Sequence, residues 1–115
     1  MVKEYIPKQG DIIFTNFDPQ IGKEQAGARP ALVISISTYN QKAKLLVCCP
    51  ITSQIKNYPF EVVLSKQQKT QGAILSDQIK NIDWIARPFY FIEKINPQSF
   101  QEVLAKIAVL LSLPE

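Results

Sequence analysis

The sequence predicts a mainly β domain, a small antiparallel barrel carrying one C-terminal helix. Three observations lead there. Six or so short runs rich in β-branched and aromatic residues are separated by turn signals, a spacing typical of small barrels. From Pro97 onward the apolar residues recur at intervals of three and four, the period of a helix. A chain of 115 residues suffices for one hydrophobic core and not two, so residues 1–115 are expected to form a single domain.

The strands follow in order. Segments 11–17 and 31–37 flank a polar, glycine-bearing loop. Segment 44–52 is apolar on both parities, as expected of a strand buried on both faces. Pro50 marks an edge or a bulge in it, because proline cannot donate to a ladder. Residues 60–64 and 72–75 are shorter strands joined by the polar stretch 65–71. Residues 78–92 hold one short and one longer strand, with Pro88 again marking an edge. The closing helix places Phe100, Val103, Leu104, Ile107, Leu110 and Leu111 on one stripe. Asn96 is a suitable N-cap, Pro97 fits the first helical position, and Pro114 blocks continuation. The stripe reads first as core packing and second as a self-association surface.

Composition narrows the chemistry. A hydrophobic share of 46% with four glycines belongs to a folded globule. The net charge of +3 suits a polyanionic ligand without demanding one, and the dispersed lysines read individually as solubility. There is no histidine. Nucleophile–histidine triads, histidine-based ribonuclease chemistry and histidine-ligated metals are therefore excluded. Cys48 and Cys49 are adjacent, so in a strand they leave opposite faces, poor geometry for a mutual disulfide. They read as reduced core residues, which with no apolar run near the ~20 residues of a membrane span and no apolar signal region at Met1–Tyr5 points to the cytoplasm.

The loop 22–30 is the most informative stretch, since it displays Glu24 and Arg29 between two strands. Loops held at both ends by sheet commonly carry functional groups. Arg29 offers a permanently charged planar fork matching two phosphate oxygens. Glu24 is a base for a ribose 2′-hydroxyl, and Thr52, just past Pro50, is a hydrogen-bond donor to a phosphorane oxygen. Taken singly, Glu24 and Arg29 read first as an exposed ion pair worth about 0–1 kcal/mol, and Thr52 as an ordinary strand residue. Phe17 is a stacking platform for a base or, equally, a core residue.

Together these residues are more specific. Gly10-Asp11, Phe17-Asp18-Pro19, Gly22 with Glu24-Gln25-Ala26-Gly27, Arg29-Pro30 and Pro50 with Thr52 recur with Lys56, Tyr58-Pro59-Phe60-Glu61-Val62-Val63-Leu64, Asp77-Gln78 and Lys80. In these motifs the chain resembles the MazF/PemK family, the toxins of type II toxin–antitoxin modules, over nearly its whole length. It departs most at Arg87–Ile95, where Pro88-Phe89-Tyr90-Phe91 is unusually aromatic.

The resemblance implies an SH3-like antiparallel barrel of the MazF/CcdB type, paired as a homodimer. It implies a metal- and cofactor-independent endoribonuclease that cuts single-stranded RNA at a short sequence, leaving a 2′,3′-cyclic phosphate and a 5′-hydroxyl. It also implies a cognate antitoxin with a disordered acidic tail. Carried over by position, Arg29, Thr52 and Glu24 are the residues of the reaction, and Gln25, Lys56, Gln78 and Lys80 fall where RNA contacts are expected. Two rivals stand beside this reading. A CcdB-like barrel inhibits gyrase and cuts nothing, and has no chemical reason to keep Glu24, Arg29 and Thr52. A plain RNA-binding module would carry more stacking aromatics and basic residues.

Overall fold

The computed structural model describes residues 5–17 and 27–114. Its elements run β1 (Asp11–Asn16), β2 (Ala28–Val33), α1 (Ser37–Ala43), β3 (Leu45–Thr52), β4 (Glu61–Val63), β5 (Ala73–Leu75), β6 (Lys80–Asp83), β7 (Phe89–Lys94) and α2 (Pro97–Leu111). Every strand pairing is antiparallel. The ladder runs β4-β5-β3-β2-β1-β7, with β6 also on β3.

The expected antiparallel β fold with a C-terminal helix is present, and no ladder joins β4 to β7 among the described residues, so the barrel is an open one. The reason lies in the packing. A closed barrel has one interior, whereas this sheet buries side chains on both faces. Ile12, Leu32, Cys49, Ile51 and Ile74 form one cluster with Val103 and Ile107 of α2. Ile13, Phe17, Ala31, Val33, Cys48 and Trp84 belong to another. Cys48 and Cys49 thus sit in different clusters, both as free thiols, as strand alternation requires.

The two-sided burial accounts for the apolar run of β3, which is a central strand and not an edge. Pro50 is tolerated there because β3 changes partners around it. Its pairing with β6 extends to Cys48 and its pairing with β5 begins at Ile51, so on that side the missing N–H falls between two ladders. Pro88, by contrast, does precede an edge strand, β7. The aromatic run there is divided between surroundings. Phe89 meets Trp84 edge-on, with ring centroids 6.1 Å apart, while Tyr90 stacks on Phe14 at 5.2 Å.

Segment 31–37 is not one strand: β2 stops at Val33 and Ser37 opens α1. This helix is organised by Asn40, which is fully buried. Its Nδ2 donates to Pro7 O (2.9 Å) and Ser35 O (3.2 Å), its Oδ1 accepts from Ser35 Oγ (2.6 Å), and its carbonyl accepts from Trp84 Nε1 (3.0 Å). All four partner groups lie outside the helix, those of Pro7 and Trp84 far off in sequence, so no local period announces the element.

At α2 the expected cap is present. Asn96 Oδ1 accepts from Gln98 N (2.8 Å) and Ser99 N (3.3 Å), with Pro97 in the first position. Val103 and Ile107 are buried, whereas Val109, Leu110, Leu111 and Leu113 near the C-terminus are exposed.

Candidate functional site

The site lies where β2 and β3 part. Their ladder ends at Ala31–Pro50. Beyond it β2 continues only along β1, with Arg29 opposite Thr15, while β3 turns to β5, with Thr52 opposite Ala73. Arg29 and Thr52 each stand two residues past the last shared pair. Two residues is one full strand repeat, so both keep the side-chain face of Ala31 and Pro50.

Beside this split is a cavity of about 570 Å³ lined by Thr52, Lys56, Tyr58, Glu61, Asp77 and Gln78, among others. Thr52 Oγ1 accepts from Gln54 N at 3.1 Å, which leaves the hydroxyl proton available for an incoming acceptor. Gly72 packs directly behind Thr52: a Cβ there would stand 2.1 Å from the Thr52 carbonyl oxygen. The wall that holds Thr52 is thus shaped by a close backbone approach that only glycine permits.

Polar contacts order the rest. The Tyr58 hydroxyl donates to Asp77 Oδ2 at 2.7 Å, and this hydrogen bond to a carboxylate, with some burial, pushes the phenol pKa above its ordinary value. Glu61 is nearly buried at 8% exposure. Its carboxylate accepts from Lys56 N and Tyr58 N.

Four of the residues expected from the sequence therefore fall at this split or in its cavity: Arg29, Thr52, Lys56 and Gln78. Glu24 and Gln25 lie outside the described residues. Phe17 is corrected. At 4% exposure it packs into the cluster with Ile13, Ala31 and Trp84, so its ring is committed to the core and cannot stack on a base. Lys80 is on β6 opposite Cys48 and does not line the cavity. Gln54, Tyr58, Glu61 and Asp77 also line this cavity, with no role evident for them in the sequence. One signal was available, a carboxylate at 61 opening the apolar run Val62-Val63-Leu64.

Among the described residues no group of three or more His, Cys, Asp or Glu could hold a metal ion, and no helix is long and apolar enough to cross a membrane.

Fold and site together define a class: a small two-faced antiparallel sheet with a C-terminal helix, presenting a polar, cation-bearing cavity where its central strands diverge. The chain belongs to the family of PemK-like, MazF-like toxins of type II toxin–antitoxin systems, whose profile matches residues 8–111. It is 48% identical over 111 residues to the endoribonuclease toxin MazF of Escherichia coli K12, covering 96% of this chain and 99% of that one. It is similar to the crystal structure of MazF from Deinococcus radiodurans, with a TM-score of 0.92 and 38% identity over 96% of this chain and 100% of that one. A MazE–MazF complex from the same organism matches with a TM-score of 0.87 at 38% identity, over 96% of this chain and 100% of that chain.

Proposed function

We propose that this protein is an endoribonuclease toxin that cuts single-stranded RNA and is neutralised by a cognate antitoxin. The observation carrying this reading is the strand split, which leaves a guanidinium (Arg29) and a hydroxyl (Thr52) on one sheet face beside a polar cavity. Relatives named as endoribonucleases support it, and a neighbour solved as a MazE–MazF complex supports the antitoxin. The gyrase-inhibitor reading has no comparable support.

In the proposed reaction the ribose 2′-oxygen attacks the adjacent phosphorus as its proton passes to Glu24. The 2′-O–P bond forms, the P–O5′ bond breaks, and O5′ leaves as a hydroxyl by taking a proton from the Arg29 guanidinium, which regains one from solvent as Glu24 releases its own. The products are a 2′,3′-cyclic phosphate and a 5′-hydroxyl, and nothing in this sequence of steps requires a metal. Arg29 clamps the charge developing on the phosphorane. A guanidinium with a pKa above about 12 is a poor base at neutral pH, so the base is assigned to Glu24 and Arg29 is left to donate, to the phosphorane or to O5′. Thr52 donates to a phosphorane oxygen. Lys56 and Gln78 contact the RNA, which is read on unstacked bases.

The working form is proposed to be a homodimer, for which the exposed Val109, Leu110, Leu111 and Tyr90 offer apolar surface. The compartment is proposed to be the cytoplasm, where the substrate is made. One assay tests the reading: purified protein is incubated with RNA oligonucleotides in EDTA and the product ends are analysed. Cyclic-phosphate and 5′-hydroxyl ends are expected. Intact RNA with stalled gyrase would favour the inhibitor, and intact RNA merely retained would favour a binding module.

A further inference from the structure

We infer that Glu61 is a positioning residue for the RNA substrate: its carboxylate holds the connection 53–60 in the shape that presents Lys56 and Tyr58 to the cavity. The inference rests on the ribonuclease reading above and adds to it a residue that makes no proposed contact with the reacting atoms.

Glu61 opens β4 opposite Leu75, with apolar residues on both sides in sequence, and is almost fully buried. A carboxylate in that position must be compensated by hydrogen bonds. The compensation comes from the loop itself. Lys56 N donates to both carboxylate oxygens, at 3.1 and 3.2 Å, and Tyr58 N donates to Oε1 at 3.1 Å. Asn57 between them has φ 58°, a left-handed conformation that turns the flanking N–H groups inward, as in backbone nests that bind anions. The turn is closed by Glu61 N donating to Tyr58 O at 2.9 Å.

No strand ladder supports residues 53–60, so the bonds made by Glu61 matter more there than they would inside a sheet. Bonds to an ionised acceptor are also about twice as strong as neutral ones. From behind, α2 adds one tether, Lys106 Nζ to Pro59 O at 2.6 Å. Both residues whose amides Glu61 grips line the cavity, as does Glu61. With its oxygens directed at loop amides, Glu61 acts through Lys56 and Tyr58 and not on the substrate directly.

The test compares Glu61→Gln, Glu61→Ala, Lys56→Ala and the double variant Glu61→Ala/Lys56→Ala with wild type. Steady-state cleavage of one RNA oligonucleotide and amide hydrogen exchange are read for each. Exchange at the Lys56 and Tyr58 amides should speed up in Glu61→Gln while the β1 and β2 amides keep their protection. KM should rise about tenfold with kcat nearly unchanged, the pattern of lost uniform binding. Because Glu61 acts partly through Lys56, the double variant should be clearly milder than the product of the single effects.

An unchanged KM, multiplicative effects, or losses in kcat and KM that merely track a lower thermal midpoint would each overturn the inference. If Glu61→Ala does not fold, Glu61→Gln, which keeps one acceptor oxygen, decides the matter alone. A wild type that leaves RNA intact overturns the ribonuclease reading and this inference together. A wild type that cuts normally beside unaffected Glu61 variants overturns this one only.

Discussion

The Tyr58 hydroxyl and the Asp77 carboxylate, 2.7 Å apart, join two connections that line the same cavity, the one before β4 and the one between β5 and β6. Tyr58→Phe keeps the ring and removes this tether. Because Tyr58 is exposed, the thermal midpoint should stay near wild type, while KM for RNA rises roughly two- to tenfold, the scale of one hydrogen bond. The bond needs a protonated phenol, and the raised pKa keeps it so. The tether is therefore intact at neutral pH and is lost only as pH climbs past the ordinary tyrosine value of 10.0. Kinetics and melting curves of the single variant check this.

Gly72 has φ +121°, and a Cβ there would lie 2.1 Å from Thr52 O and 3.0 Å from Thr52 C. Gly72→Ala should therefore cost about 2–4 kcal/mol in urea unfolding, from strain and a backbone clash. Surviving folded protein should also cut RNA poorly, because relief of the clash moves Thr52. Wild-type kcat in a folded Gly72→Ala variant would show that the position of Thr52 is not critical.

Arg29→Lys retains the charge and loses the planar fork. On the proposed mechanism kcat should fall by about 100-fold, comparable to removing one preorganised donor at a developing oxyanion, with a smaller change in KM. Single-turnover cleavage measures it. A near-normal rate would mean that charge alone suffices at this position.

Burial pushes both cysteine thiols up to about 12, reinforced at Cys48 by neighbouring Cys49 and at Cys49 by Asp77. Neither should react with thiol reagents at pH 8 until the protein is unfolded in urea. The raised folded pKa favours the protonated thiol. Its contribution to stability is complete below the ordinary value of 9.0 and is lost as pH rises from there towards about 12. Urea midpoints between pH 8 and 11 should decline accordingly, and a Cys48→Ala/Cys49→Ala variant should show a shallower decline.

Much of the fold was legible in the residues. The three- and four-residue spacing after Pro97, with Asn96 before it, located α2 because a helix cap and an amphipathic stripe are local features. The apolar run 44–52 correctly implied burial on both faces. Yet the same run misled at Pro50, since a proline reads as an edge unless one knows that the strand exchanges partners around it. Helix α1 was missed for a related reason: Asn40 bonds to Pro7 and Trp84, which sequence distance conceals. Phe17 could have been either core or stacking platform, and only its neighbours Ile13, Ala31 and Trp84 decided for core.

The sequence by itself determined the family and named the side chains proposed for the reaction, because chemistry resides in residue types and their spacing along loops. Tertiary structure decided which of the described ones share a sheet face or a cavity. The parting of β2 and β3 is a property of paired backbones and appears in neither strand alone. The same holds for Glu61 beneath Lys56 and Tyr58: a buried charge acquires its task from the amides folded around it.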